Sequence, residues 1–137
     1  MAAPSHLHED LAELSLLLGD WSGTGEGVWS LGERFEYAED VTFEFVGDPL
    51  LLYTQRSWSL DDGSPIHLER GVLRPAGPGN VELLLAHPIG ITEVAVGTVD
   101  GVIDLSSTVG ARSSRSSWRW RWRASSSGGT SAHARAP

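Results

Sequence analysis

Leucines recur at positions 7, 11, 14, 17 and 18, so their side chains gather on one side of a short helix and the spacing predicts a helix over 7–18. Ser5 is the candidate N-cap, and Gly19 stands where a helix is commonly stopped by a residue in the left-handed conformation. No long helical period follows. Short β-like runs take over at 21–29, 35–46, 50–60, 66–74, 81–88, 91–99 and 102–108. Turn signals separate them: Gly47-Asp48-Pro49, Asp61-Asp62-Gly63, the stretch 75–80, Pro88-Ile89-Gly90 and Asp100-Gly101. Several runs alternate in polarity, as in Val41-Thr42-Phe43-Glu44-Phe45 and Thr92-Glu93-Val94-Ala95-Val96, so each has one buried face and one wetted face.

Tight connections between successive antiparallel strands are the mark of an up-and-down barrel, whereas a sandwich needs longer connections that change sheet. The predicted fold class is therefore all-β, a lipocalin-like or fatty-acid-binding-protein-like antiparallel barrel with a short N-terminal helix. Barrels of this size enclose side chains or one small ligand. The alternating pattern fades after residue 110. The segment 111–137 is rich in Ser, Arg, Gly and Ala, and its one strand-like feature is the strict alternation Trp118-Arg119-Trp120-Arg121-Trp122-Arg123. Two parts are expected: a barrel domain over 1–110, incomplete at its C-terminal side, and a poorly ordered tail over 111–137 in which the Trp-Arg run forms an edge strand.

Charge divides the chain at the same place. The 137 residues carry a formal charge of -8, and every basic residue is an arginine. Residues 1–110 contain 4 basic and 18 acidic side chains, net -14, while 111–137 carry +6 with no carboxylate. An acidic body disfavours binding to nucleic acid or to an anionic membrane surface, and the Trp-Arg run is too short to reverse that expectation. A shift of reading frame in G+C-rich DNA produces just such a change to Arg, Ser, Trp, Gly and Ala. The absence of cysteine excludes disulfides, thiolate metal sites and a cysteine nucleophile. The N-terminal segment has no basic start, and its longest apolar run is Leu16, Leu17 and Leu18, so a cytoplasmic, soluble protein is expected.

The glycines of GDWSGTGEG do not follow the dinucleotide pattern, and they sit between a helix and a strand in the reverse of the phosphate-binding order. They suit a first strand whose backbone runs close to a neighbouring ring or to the helix. Gly19, Trp21, Gly23 and Gly25 instead match the G-x-W-x-G-x-G signature of the nitrobindin family, haem-binding β-barrels. The segments FEYAEDVTF at 35–43, VGDPLLLYTQR at 46–56, IHLERGVLR at 66–74 and AHPIGITE at 86–93 resemble that family's successive strands, in order, so the resemblance spans 10–108.

The resemblance implies a barrel of about ten strands holding ferric haem b through one histidine of its last strand, with activity on nitric oxide and peroxynitrite. It places Thr42 and His67 at the haem pocket. It also exposes a departure, because the family's histidine-bearing final strand has no match in 111–137. His133 is the one histidine there, and it lies in a segment without apolar periodicity that could dock it as an axial ligand. His6 and His8 flank the helix start and read as solvent-exposed groups. His87, before Pro88, reads as a structural hydrogen-bonding group at a strand end. His67 alternates with Ile66 and Leu68, which leaves it open whether it faces solvent or lines the pocket.

The dispersed Asp and Glu residues read as a solvated face, and no hydrolytic constellation emerges from them. Three readings follow. The first is a nitrobindin-like barrel that lacks the axial histidine, with no metal or cofactor held in the family manner, and so is not an enzyme. The second is a working haem protein that isomerises peroxynitrite to nitrate. The third is a haem-free carrier of a small apolar ligand.

Overall fold

In the computed structural model, residues 6–28, 31–111 and 119–123 are described, with side chains through residue 106. A 3-10 helix, Glu9–Leu17, precedes eight strands: β1 (Gly19–Val28), β2 (Arg34–Phe45), β3 (Leu51–Ser59), β4 (Pro65–Pro75), β5 (Asn80–His87), β6 (Ile91–Val99), β7 (Val102–Ala111) and β8 (Arg119–Arg123). They form one antiparallel sheet in chain order, a curved half-barrel in which β1 and β8 are the edges among the described residues. The all-β expectation holds, and the seven anticipated runs all became strands.

The helix differs from expectation in type. Leu11, Leu14 and Leu17 are its buried residues, spaced by three, and in a 3-10 helix residues three apart eclipse one another on a single edge. Three fully buried leucines thereby point into the sheet from only nine residues. His8 occupies the N-cap, its Nδ1 accepting from Asp10 N at 3.2 Å. Ser5, the expected cap, lies outside the described residues. Gly19 follows Leu18 with φ 111°, a left-handed conformation that lets the chain turn directly from helix into β1.

Cross-strand registers decide which side chains meet inside. Trp21 pairs with Val41, Phe43 with Tyr53, Leu51 with Leu73 and Leu73 with Leu83. All of these are buried and join Val81, Val99, Ile103 and Leu105 in one core with the helix leucines. Two contacts hold the helix over this end. Trp21 Nε1 donates to Leu17 O at 2.6 Å, and Gly79 N, in the turn between β4 and β5, donates to Glu13 Oε2 at 3.2 Å.

The glycines of β1 serve packing. A Cβ at Gly25 would come within 2.6 Å of the Tyr37 ring, and one at Gly27 would overlap the ring of Phe35. These rings lie directly opposite in the register, so each covers a glycine across the strand pair. β8 pairs with residues 102–106 of β7, so the Trp-Arg run does supply an edge strand, from Arg119 to Arg123. The remainder of the expected poorly ordered tail lies outside the described residues. No helix among the described residues is long and apolar enough to cross a membrane.

Candidate functional site

At the end of the half-barrel away from the helix, the inward positions change from leucine to ionisable residues. On β4 the inward series continues from Leu73 through Gly71 to Glu69 and His67; on β5 it runs Val81, Leu83, Leu85, His87; on β6 it runs Val99, Gly97, Ala95, Glu93. β2 and β3 contribute Glu39, Gln55 and Ser57 at the same level. Glu69 is 0%, Gln55 and Glu39 2%, Glu93 4% and His87 7% exposed, which is rare for charged side chains unless their partners are buried with them.

Those partners are present. The Tyr53 hydroxyl donates to Glu69 Oε1 at 2.6 Å, and Gln55 Nε2 donates to Glu39 Oε2 at 3.2 Å. His67 Nε2 lies 3.2 Å from Glu69 Oε2 and 3.0 Å from His87 Nδ1. The two imidazole rings sit 5.0 Å apart at 47°. On its far side His87 Nε2 lies 2.6 Å from Glu93 Oε1, an ion-pair distance at angles outside those of a hydrogen bond. His87 Nδ1 also lies 3.7 Å from Glu69 Oε2.

Local sequence explains how these groups converge. His67 and Glu69 are two apart on one strand and so share a face, while Leu68 between them is exposed. Glu93 lies opposite Leu85 across β5 and β6, two residues from His87. Irregularities in register occur between Ser57 and Trp58, opposite His67, and between Val94 and Ala95, beside Glu93. Bulges of this kind re-aim side chains at barrel rims, and here one lies on each flank of the cluster.

The residues expected at the site fall into different places. Gly19, Trp21, Gly23 and Gly25 belong to β1, and Trp21 closes the apolar end beneath the helix. Thr42 stands on the outer face. Its neighbours Val41 and Phe43 point inward, and its hydroxyl donates to Asp20 Oδ1 at 2.9 Å, in an outward row continued by Ser22 and Asp40. Thr42 thus lies on the opposite face of β2 from Val41 and Phe43, because side chains of opposite parity on one strand face opposite ways. His67 faces inward and meets His87. His6 and His8 lie at the start of the helix, and His133 lies outside the described residues.

Reading the carboxylates as a uniformly solvated face missed Glu39, Glu69 and Glu93. Parity carried the missing signal: Glu39 shares it with Val41 and Phe43, Glu69 with Leu73, and Glu93 with Ala95 and Val99.

Among the inward described residues, a haem held through an axial imidazole would have His67 or His87 to draw on. Such a ligand needs one bare nitrogen aimed at the iron and a bracing partner behind the other. His87 has both nitrogens in close contact, with His67 and Glu93, and His67 Nε2 is turned into the cluster between Glu69 and His87.

Residues 10–126 match the family of the THAP4-like, heme-binding beta-barrel domain. The chain belongs to this nitrobindin family. Nitrobindin-family relatives include peroxynitrite isomerase 2 of Mycobacterium marinum, 50% identical over 105 residues that make up 74% of this chain and 65% of that protein. Peroxynitrite isomerase 1 of Mycobacterium tuberculosis is 53% identical over 88 residues, 64% of this chain and 54% of that protein. The chain thus spans somewhat more than half to about two thirds of the length of these relatives. The crystal structure of Rv2717c from M. tuberculosis superposes with a TM-score of 0.71 at 41% identity, covering 87% of this chain and 83% of that one. The nitrobindin barrel anticipated from the β1 signature and the ordered segments is therefore the fold of this chain.

Proposed function

We propose that this chain is a nitrobindin-family barrel whose strands do not supply an axial histidine, so that it does not work as a haem-dependent peroxynitrite isomerase through His67 or His87. One observation carries the reading: both inward histidines are turned onto each other and onto Glu69 and Glu93, at 2.6–3.2 Å. When bound, haem would supply the ferric iron on which the family's nitric oxide and peroxynitrite chemistry depends. This chain's own residues hold a buried polar cluster at the end of the half-barrel away from the helix. Freeing His67 for iron would strip Glu69 and His87 of a partner, and an unsatisfied buried polar group costs about 1–3 kcal/mol.

The relatives named peroxynitrite isomerase support a second reading, a ferric haem protein with a ligand such as His67 or His133. Titration with hemin, followed at the Soret band, separates the two. The first reading expects no sharp, stoichiometric ferric spectrum. A one-to-one Soret transition that disappears in His67→Ala or His133→Ala would overturn it in favour of the second.

A further inference from the structure

We propose that His67, Glu69 and His87 form a mononuclear site for a divalent ion of the zinc class, with Glu93, Tyr53 and Gln55 arranged around it. The proposal rests on the reading that His67 and His87 are not haem ligands, and cobalt uptake is read apart from the Soret band. His67 Nε2, Glu69 Oε2 and His87 Nδ1 define a triangle with sides of 3.2, 3.0 and 3.7 Å. The point equidistant from those atoms lies ~1.9 Å from each, and zinc bonds imidazole nitrogen and carboxylate oxygen at about 2.0–2.2 Å. An ion a fraction of an ångström out of that plane therefore reaches all three ligands without movement of the strands.

The surroundings match the needs of such an ion. A metal-bound imidazole is commonly held by a carboxylate on its other nitrogen, which fixes the ring and strengthens the ligand. Glu93 Oε1 stands 2.6 Å from His87 Nε2, behind the ring, while Nδ1 faces the triangle. A ligating carboxylate is usually fixed by a hydrogen bond to its second oxygen, and Tyr53 donates to Glu69 Oε1 at 2.6 Å. Gln55 lies directly across from Glu69 in the β3–β4 register, and its buried Oε1 has no hydrogen-bond partner. A water completing the coordination of the ion would be a donor for that oxygen. Two imidazoles and one carboxylate favour zinc, cobalt, nickel or ferrous iron over magnesium or calcium, which prefer all-oxygen cages.

The test is titration of chelator-treated full-length protein with Co(II), read by visible d–d absorption and followed by displacement with Zn(II). The expected result is one equivalent of cobalt taken up, displaced by zinc and not by magnesium. Glu69→Gln should abolish the bands, whereas Glu93→Gln and Tyr53→Phe should weaken uptake by about 10–100-fold. His8→Ala, which removes the exposed imidazole beside Asp10, should leave uptake unchanged. Far-UV circular dichroism checks the fold of each variant, and His67→Gln, at the partly exposed rim, replaces Glu69→Gln if that variant fails to fold. Absence of stoichiometric bands would overturn the proposal and leave a metal-free hydrogen-bonded chain. So would uptake unaffected by folded Glu69→Gln or His67→Gln, or uptake lost in His8→Ala.

Discussion

The two ends of the half-barrel interior are built on the same strands and obey opposite rules. At the helix-covered end, Leu11, Leu14, Leu17, Leu51, Leu73, Leu83, Ile103 and Leu105 are all at most 1% exposed and need only fill space. At the other end, Glu69 is just as deeply buried, yet it is accommodated only because Tyr53, His67 and His87 surround it. Burial at the first end is itself stabilising, at ~1.5–3 kcal/mol for each large aliphatic side chain. At the second end burial is costly and has to be offset contact by contact. The same inward parity thus serves the fold at one end and leaves reactive groups ready at the other.

The largest effect is expected where packing alone acts. Leu73→Ala, between Leu51 and Leu83 in the register, should lower stability by about 2–5 kcal/mol in chemical denaturation, through lost burial and a residual cavity. A cost below ~1 kcal/mol would mean that the helix-covered end is loosely packed and the contrast between the ends is false.

Tyr53→Phe probes the boundary, since the ring packs at a tilt against Phe43, centroids 5.4 Å apart, while the hydroxyl serves Glu69. Keeping the ring and deleting the hydroxyl should cost about 1–3 kcal/mol, the size of leaving one buried acceptor without its donor. Stability equal to wild type would show that Glu69 does not depend on Tyr53.

On the outer face, Arg74 and Glu82 form an ion pair at 2.8 Å across β4 and β5, with Arg74 half exposed. Arg74→Ala should cost under ~1 kcal/mol, and less at high salt.

The smallest effect belongs to Asp62, in the turn between β3 and β4. Hydrogen bonds from the Ser64 side chain and backbone hold its carboxyl below the usual carboxylate range. A depressed folded-state value contributes stability at neutral pH that is lost as pH falls through it, from about pH 4 downward. The melting-temperature difference between wild type and Asp62→Asn should therefore be small at pH 7 and shrink further toward pH 3.

Much of the apolar end was legible in the sequence, because alternating aliphatic residues and glycine turns specify strands and their order directly. The Trp-Arg alternation likewise announced β8. The helix type was less legible: leucines at 11, 14 and 17 fit both a 3-10 and an α-helical edge, and only packing against the sheet selected the tighter one. The polar end was hardest to read. Glu39, Glu69 and Glu93 alternate with apolar residues as a wetted face also would, and their inward orientation makes sense only once β2, β4 and β6 are brought around β3 and β5. In β6 the small Ala95 faces the core while Val96 is 43% exposed, the reverse of what hydrophobicity alone favours, because Glu93 takes the inward parity.

In the proposed function the inward histidines are committed to each other and to two glutamates and not to a haem iron. Imidazole 15N spectra of histidine-labelled protein, recorded before and after one equivalent of hemin, test it most directly. The His67 and His87 ring signals should be unchanged by hemin. Paramagnetic shift or loss of either signal, together with a sharp stoichiometric Soret band, would contradict it.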